Sequence, residues 1–286
     1  MKLNTWLSKE HIIRTKILPY FKKRKLSEIT ARDVIDWQNE IRQHTKSSGE
    51  KLFTGLSKNA PHPTELYLPN HAIKYYGLQI NPAAKAGNMG SEQPKEMLFW
   101  TKEEYLKFID AMMDKPMLYY AFEILYWCGI REGELLALTP ADFDFEKKTL
   151  RINKSYQRLQ GKDVITTPKT KKSNRVIQMP DFLCDEMQDY FKQLYGLEPD
   201  SRIFPLSKYA LKRGMEFGCK AAGVKIIRIH DLRHSHVSLL INMGYSAVAI
   251  GNRVGHESVE ITYRYAHLFP TVQKEMADKL NVERGN

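Results

Sequence analysis

His230-Asp231-Leu232-Arg233-His234, then Gly255-His256, then Tyr263-Arg264-Tyr265-Ala266-His267: these three stretches crowd into the final fifth of the chain. Far upstream, Cys128-Gly129-Ile130-Arg131-Glu132-Gly133-Glu134 supplies another arginine at a helix start. Together they offer two fixed cations, two imidazoles and a phenol. That set suits attack on a phosphodiester, whose non-bridging oxygens gain charge that positive donors must meet. No paired carboxylates accompany it to hold a metal, so the expected chemistry is free of metal and of any cofactor.

Each residue type fits a task. Arg131 and Arg233 are the candidate clamp, because guanidinium stays charged and grips phosphate through two parallel bonds. Tyr265 is the candidate nucleophile; a free phenol has a pKa of about 10, and neighbouring cations favour its ionised form. His256 and His230 can supply hydrogen bonds and proton traffic. Lys169, in a turn, is placed to protonate the departing oxygen.

The rivals are close by. Tyr263 competes with Tyr265, and Lys171 and Lys172 compete with Lys169. Arg175 is assigned to the strand that follows the turn. Glu134, one turn past Arg131, either pairs with it or stands exposed. His230 and His234 share a helix face, but no HExxH pattern or carboxylate ligand completes a metal site, so His234 and His236 are expected to pack or support. His267 is left without a role.

Around this set the composition is ordinary: 286 residues, 42% hydrophobic and 27% charged, enough for two cored domains. No apolar run reaches membrane-spanning length and the N-terminus lacks a signal-peptide core, so a cytoplasmic protein without membrane contact is expected. Cys128, Cys184 and Cys219 lack CxxC spacing and are expected as buried thiols. The net charge of +11 is uneven: residues 1–85 hold 15 Lys/Arg against 7 Asp/Glu, and the remainder 29 against 26. A cationic N-terminal third is the footprint expected of a polyanion binder. Lys22, Lys23, Arg24 and Lys25 are its candidate phosphate contacts.

Periodicity predicts a helix over residues 5–20 ended by Pro19, and a second from the cap Thr30 through Ile41. Residues 45–64 show no clear period. Residues 72–76 read as a helix end capped by Gly77, and Asn81–Pro94 as a linker. Thr101-Lys102-Glu103-Glu104 is a capping box opening a helix to about Met113. An apolar helix over 117–127 delivers Arg131, and a further helix runs from Glu132 to Leu138. Strands are expected at 149–155, 163–167 and 175–179, with helices again from 181 onward. Val272, Met276 and Leu280 make one helical stripe in the tail.

Taken together, Arg131 with Glu134, Lys169, His230-x-x-Arg233, Gly255-His256 and Tyr265 resemble the catalytic set of the tyrosine recombinases, the phage-integrase family. The order of the set and the nine-residue interval from His256 to Tyr265 carry the likeness. Thr167-Pro168-Lys169-Thr170 and Asp231-Leu232-Arg233-His234-Ser235 are most similar to integrases of conjugative transposons and Gram-positive temperate phages. The resemblance implies an α+β, mostly helical chain. Residues 1–80 would be a helical core-binding domain, 81–97 a linker, and 98–286 a mixed catalytic domain with a small antiparallel sheet and a C-terminal tail helix. It implies site-specific recombination of double-stranded DNA, as integration or excision of a mobile element. Tyr265 would form a 3′-phosphotyrosyl link, which a 5′-hydroxyl of the partner duplex then reverses. It further implies a homotetramer on DNA coupled through the tail, and an accessory directionality factor. Two departures stand out. Relatives begin with an arm-binding domain that is not expected here. Residues 53–63, with Pro61 and Pro63, lack the amphipathic helix implied at 53–70, as a local frameshift or divergence would produce. The alternatives are a type IB topoisomerase-like activity, or a catalytically impaired DNA-binding remnant of a mobile element.

Overall fold

The computed structural model describes residues 3–43, 73–75, 77, 79–87, 97–167, 171–256, 265 and 273–284. The chain divides into two compact units, Met1–Lys95 and Glu96–Asn286. No helix among the described residues is long and apolar enough to cross a membrane.

The first unit is helical: α1 (Leu3–Ile12), a π-helical turn (Ile13–Ile17), α2 (Leu18–Phe21), α3 (Ala31–Gln43) and α4 (Pro82–Ala86). Pro19 does not end the first helix. It lies in the first turn of α2, directly after the π turn, where a widened turn relieves the clash between its ring and the carbonyl four residues back. Thr30 caps α3 as expected: its hydroxyl accepts from the Asp33 nitrogen at 3.3 Å, and the Asp33 carboxylate accepts from the Thr30 nitrogen at 2.8 Å. Val34 and Trp37 bury against Ala83 of α4, while Ile17, Tyr20 and Phe21 pack around them. The Trp37 indole N–H donates to the carbonyl of Lys16 at 3.0 Å. Residues expected as linker therefore begin inside this unit: Asn81 caps α4 by accepting from the nitrogens of Ala83 and Ala84. The apolar, aperiodic and proline-bearing readings at 45–70 lie outside the described residues, as does the tail's Val272.

The second unit holds most of the core. α5 (Lys102–Asp110) opens on the expected capping box, Thr101 with Glu104, but tightens into turns before Pro116 instead of reaching Met113. α6 (Pro116–Cys128) is buried along most of its length and packs on α8 (Asp181–Gln193) and α10 (Asp231–Asn242). α7 (Glu132–Leu135) is shorter than the predicted 132–138, since Ala137 and Leu138 close tight three-residue turns ahead of Pro140. Strands β1 (Phe143–Asp144), β2 (Thr149–Ile152) and β5 (Arg175–Gln178) form an antiparallel sheet in the order β1-β2-β5. β3 (Ser155–Leu159) and β4 (Lys162–Thr166) pair as a hairpin, and its two-residue turn, Gln160-Gly161, has positive φ at both positions. α9 (Lys208–Ala222) crosses α5 closely: a Cβ on Gly218 would lie 2.4 Å from the Phe108 ring. α11 (Ala247–Val254) packs on α10, and α12 (Gln273–Glu283) forms the tail.

Candidate active site

Arg131 is placed by the turn between α6 and α7. The helix stops at Gly129, whose φ of +62° suits glycine, and a Cβ there would lie 2.4 Å from the His236 ring. The chain then enters α7 with Arg131 as its capping residue. Glu134 accepts from the Arg131 backbone nitrogen at 3.0 Å and from its Nη1 at 2.7 Å, while Nη2 donates to the Gly255 carbonyl at 3.0 Å. Glu134 is thus buried and paired, not exposed.

Arg175 shares that carboxylate. Its Nη2 donates to Glu134 at 3.0 Å, and its Nε donates to the Arg253 carbonyl at 2.9 Å. Burial pushes the Glu134 carboxyl up, but Arg175 and then Arg131 outweigh it and hold it below the usual value. Because Arg175 and Glu134 are both nearly enclosed, losing Glu134 would strand the buried Arg175 charge, at a cost of about 3–5 kcal/mol, whereas losing Arg175 would leave Glu134 paired with Arg131 alone. A Cβ on Gly255 would meet Arg175 Cδ at 3.0 Å, so this glycine (φ +69°) lets the turn carrying His256 sit against the arginine.

α10 supplies the rest. Arg233 is 3% exposed, and its Nη1 donates to the Gly129 carbonyl at 2.8 Å. Among the described residues its Nη2 is buried without a hydrogen-bond partner. Burial, then Arg131 and Arg175, bring its pKa down to about 9, still cationic at neutral pH. A buried guanidinium edge in a field of like charge fits an anion. Asp231 is fully buried and accepts from the Arg228 backbone nitrogen at 2.9 Å and from its Nη2 at 2.7 Å. That anchors the first turn of α10, and Ser235 in the next turn accepts from the Trp100 backbone nitrogen at 2.8 Å.

Tyr265 is 2% exposed and lies among Val237, Ile241, Ile250 and Val254. Its hydroxyl meets Nδ1 of His234. His256 is buried beside the same cations; burial, then Arg233 and Arg131, lower its pKa to about 3. His230 keeps an open edge, yet partial burial, then His234 and Arg233, draw it down to about 4. The cluster therefore holds guanidinium charge and neutral imidazoles at neutral pH.

The structure brings together Arg131, Glu134, His230, Arg233, His256 and Tyr265. Lys169 lies outside the described residues, as do Tyr263 and His267. Lys172 is exposed in the middle of the 3₁₀ turn Lys171–Ser173. Lys22, Lys23, Arg24 and Lys25 belong to the first unit and are all exposed, with Arg24 bonded to Asp33. Three residues depart from the sequence reading. Arg175, assigned only to a strand, turns its side chain into the site. His234, expected to pack or support, touches the phenol. Arg253, not singled out, joins α11 to His236 at 3.2 Å and to the Trp127 carbonyl at 3.1 Å. The His230–His234 pair meets edge to face at 4.9 Å, and His234 and His236 direct nitrogens to Tyr265 and Arg253.

Residues 99–271 match the phage integrase family, and residues 1–42 match the N-terminal SAM-like domain of phage integrases. The ICEBs1 integrase of Bacillus subtilis (strain 168) is 33% identical over 98% of this chain and 78% of its own length. The chain belongs to the phage integrase family. It is a tyrosine recombinase, an enzyme that breaks and rejoins DNA strands at specific sites, related to the integrases of conjugative transposons and phages. The integrase of Staphylococcus phage L54a is 27% identical over 66% of this chain and 61% of its own. Among solved structures, the Tn1549 transposon integrase in complex with a circular intermediate DNA has the same fold, with a TM-score of 0.73 at 21% identity over 93% of this chain and 89% of that one. A lambda integrase dimer bound to a core site gives 0.64 at 19% identity, with coverage of 93% and 89%.

Proposed function

We propose that this recombinase cleaves DNA through Tyr265, forming a 3′-phosphotyrosyl link, with Arg131 and Arg233 gripping the scissile phosphate. The observation that carries this reading is the buried Arg233 edge, whose Nη2 has no hydrogen-bond partner among the described residues, beside Arg131, His256 and the Tyr265 hydroxyl. His256, neutral in this cation field, donates an N–H to a phosphate oxygen, and His230 lines the same edge. Lys169 protonates the departing 5′-oxygen. A 5′-hydroxyl from a partner duplex reverses the step, so bond energy is conserved and no cofactor takes part.

The substrates are paired double-stranded recombination sites of a mobile element, with residues Lys22–Lys25 contacting backbone phosphates in the first unit. Four copies assemble on DNA, coupled through α12, in which Leu280 and Val282 are 68% and 73% exposed. An accessory directionality factor biases integration against excision, and the protein works in the cytoplasm.

The test uses nicked duplexes tiling the DNA on either side of the coding sequence. The nick lets the short 3′ product of cleavage diffuse away, which traps the protein on DNA. Wild type should give a covalent adduct and Tyr265→Phe none. Equal adducts from both, or none from wild type, would overturn the assignment.

A further inference from the structure

We infer that His234 is a catalytic residue that takes the phenolic proton of Tyr265 during cleavage and returns it on resealing. This deepens the reading of Tyr265 as nucleophile and rests on it. The contact is direct: Nδ1 of His234 meets the Tyr265 hydroxyl, while the His230 and His234 rings stand perpendicular at 4.9 Å between centroids. With Nδ1 as the acceptor, the ring's own proton sits on Nε2. That nitrogen faces Asp231 Oδ1 at 3.8 Å, too long for a hydrogen bond but close enough to favour a charged ring. Asp231 is fully buried and bonded by Arg228, which fixes the position of its carboxyl oxygens. Phenol, imidazole and carboxylate thus stand in line, the order in which a base is oriented by an acid behind it.

The step balances. The Tyr265 oxygen forms its bond to phosphorus as its proton passes to His234 Nδ1. The bond from phosphorus to the 5′-oxygen breaks, and that oxygen takes a proton from the leaving-group acid. Resealing runs both transfers backward, leaving the enzyme unchanged. Several groups set the acceptor's readiness: Asp231, Arg228, His230 and Arg233 from its own helix and the turn before it, His256 from the end of α11, and Tyr265 itself. Burial lowers the His234 pKa, Asp231 opposes that, and Arg228 and Arg233 add to it, so the ring is neutral and able to accept at neutral pH.

His234→Asn is the informative variant. Its amide reaches the place of Nδ1 and can hold the hydroxyl, but cannot take a proton. Covalent trapping on the nicked duplexes should slow by about 10²–10⁴, the usual contribution of general acid–base catalysis. A second substrate carries sulfur in place of the bridging 5′-oxygen, so its thiolate leaves without a proton. That substrate should restore Lys169→Ala and leave His234→Asn slow. If His234→Asn traps at the wild-type rate while His234→Ala is slow, the residue only positions the phenol and the inference fails. Restoration of His234→Asn by the thiolate substrate would also overturn it, because the defect would then lie on the leaving-group side. An adduct formed by Tyr265→Phe removes the nucleophile assignment itself, a distinct failure read in the same assay.

Discussion

In the proposed mechanism Arg233 ties the fold to the chemistry in one side chain. Its Nη1 closes the turn at Gly129, and its Nη2 is buried without a bond among the described residues. A lysine has a single charged head and cannot hold the Gly129 carbonyl and a phosphate together. Arg233→Lys should therefore slow covalent trapping by about 10²–10³, the scale of removing one preorganised donor, while circular dichroism shows the helices intact. A variant within threefold of wild type would contradict the role given to that guanidinium. That Arg131, Arg233, His256 and Tyr265 would come together was expected from their order and spacing in the sequence, and the fold gathers them. Arg175 was not expected there: the β2–β5 pairing, in which Arg175 stands opposite Ile152, decides where its side chain goes. His234 was hidden for a similar reason, since neighbouring residues on a helix point about 100° apart and only the returning C-terminal segment reveals what His234 meets.

Among the elements, boundaries were readable where side chains cap them, as at Thr30 and Thr101, and misread where tertiary contacts intervene. Pro19 is absorbed by a π turn, and the 81–86 segment becomes a helix because Ala83 completes the core of the first unit. The charge within α6 was not legible at all. Glu123 is 3% exposed, accepts from the Tyr105 hydroxyl and lies beside Glu186 of α8. Burial, partly opposed by the bond from Tyr105, pushes its pKa up to about 8. The folded protein then holds a proton that the unfolded chain releases above about pH 4.5, so stability falls as pH rises from there to about 8. Glu123→Gln keeps an oxygen to accept from the Tyr105 hydroxyl and needs no proton. Its gain in stability over wild type should grow across that interval and level off above it, as urea unfolding at a series of pH values would show. A constant difference would mean that Glu123 is ionised in the fold.

At the scale of the molecule, two units with separate cores and an exposed tail are consistent with the proposed assembly of several copies on DNA. The N-terminal charge excess and the catalytic order were visible in the sequence, whereas the region around residues 45–70 offered no period to read. Deleting residues 271–286 should leave cleavage of a single nicked site near normal and reduce exchange between two sites. Equal loss of both would place the tail on its own subunit's fold. The most direct measurement is mass spectrometry of the trapped adduct after nuclease and trypsin digestion. Trypsin cuts after Arg264, which puts Tyr263 and Tyr265 on different peptides. The phosphorylated nucleotide should ride on the peptide that begins at Tyr265; finding it on the peptide ending Tyr263-Arg264, or on any other residue, would contradict the mechanism.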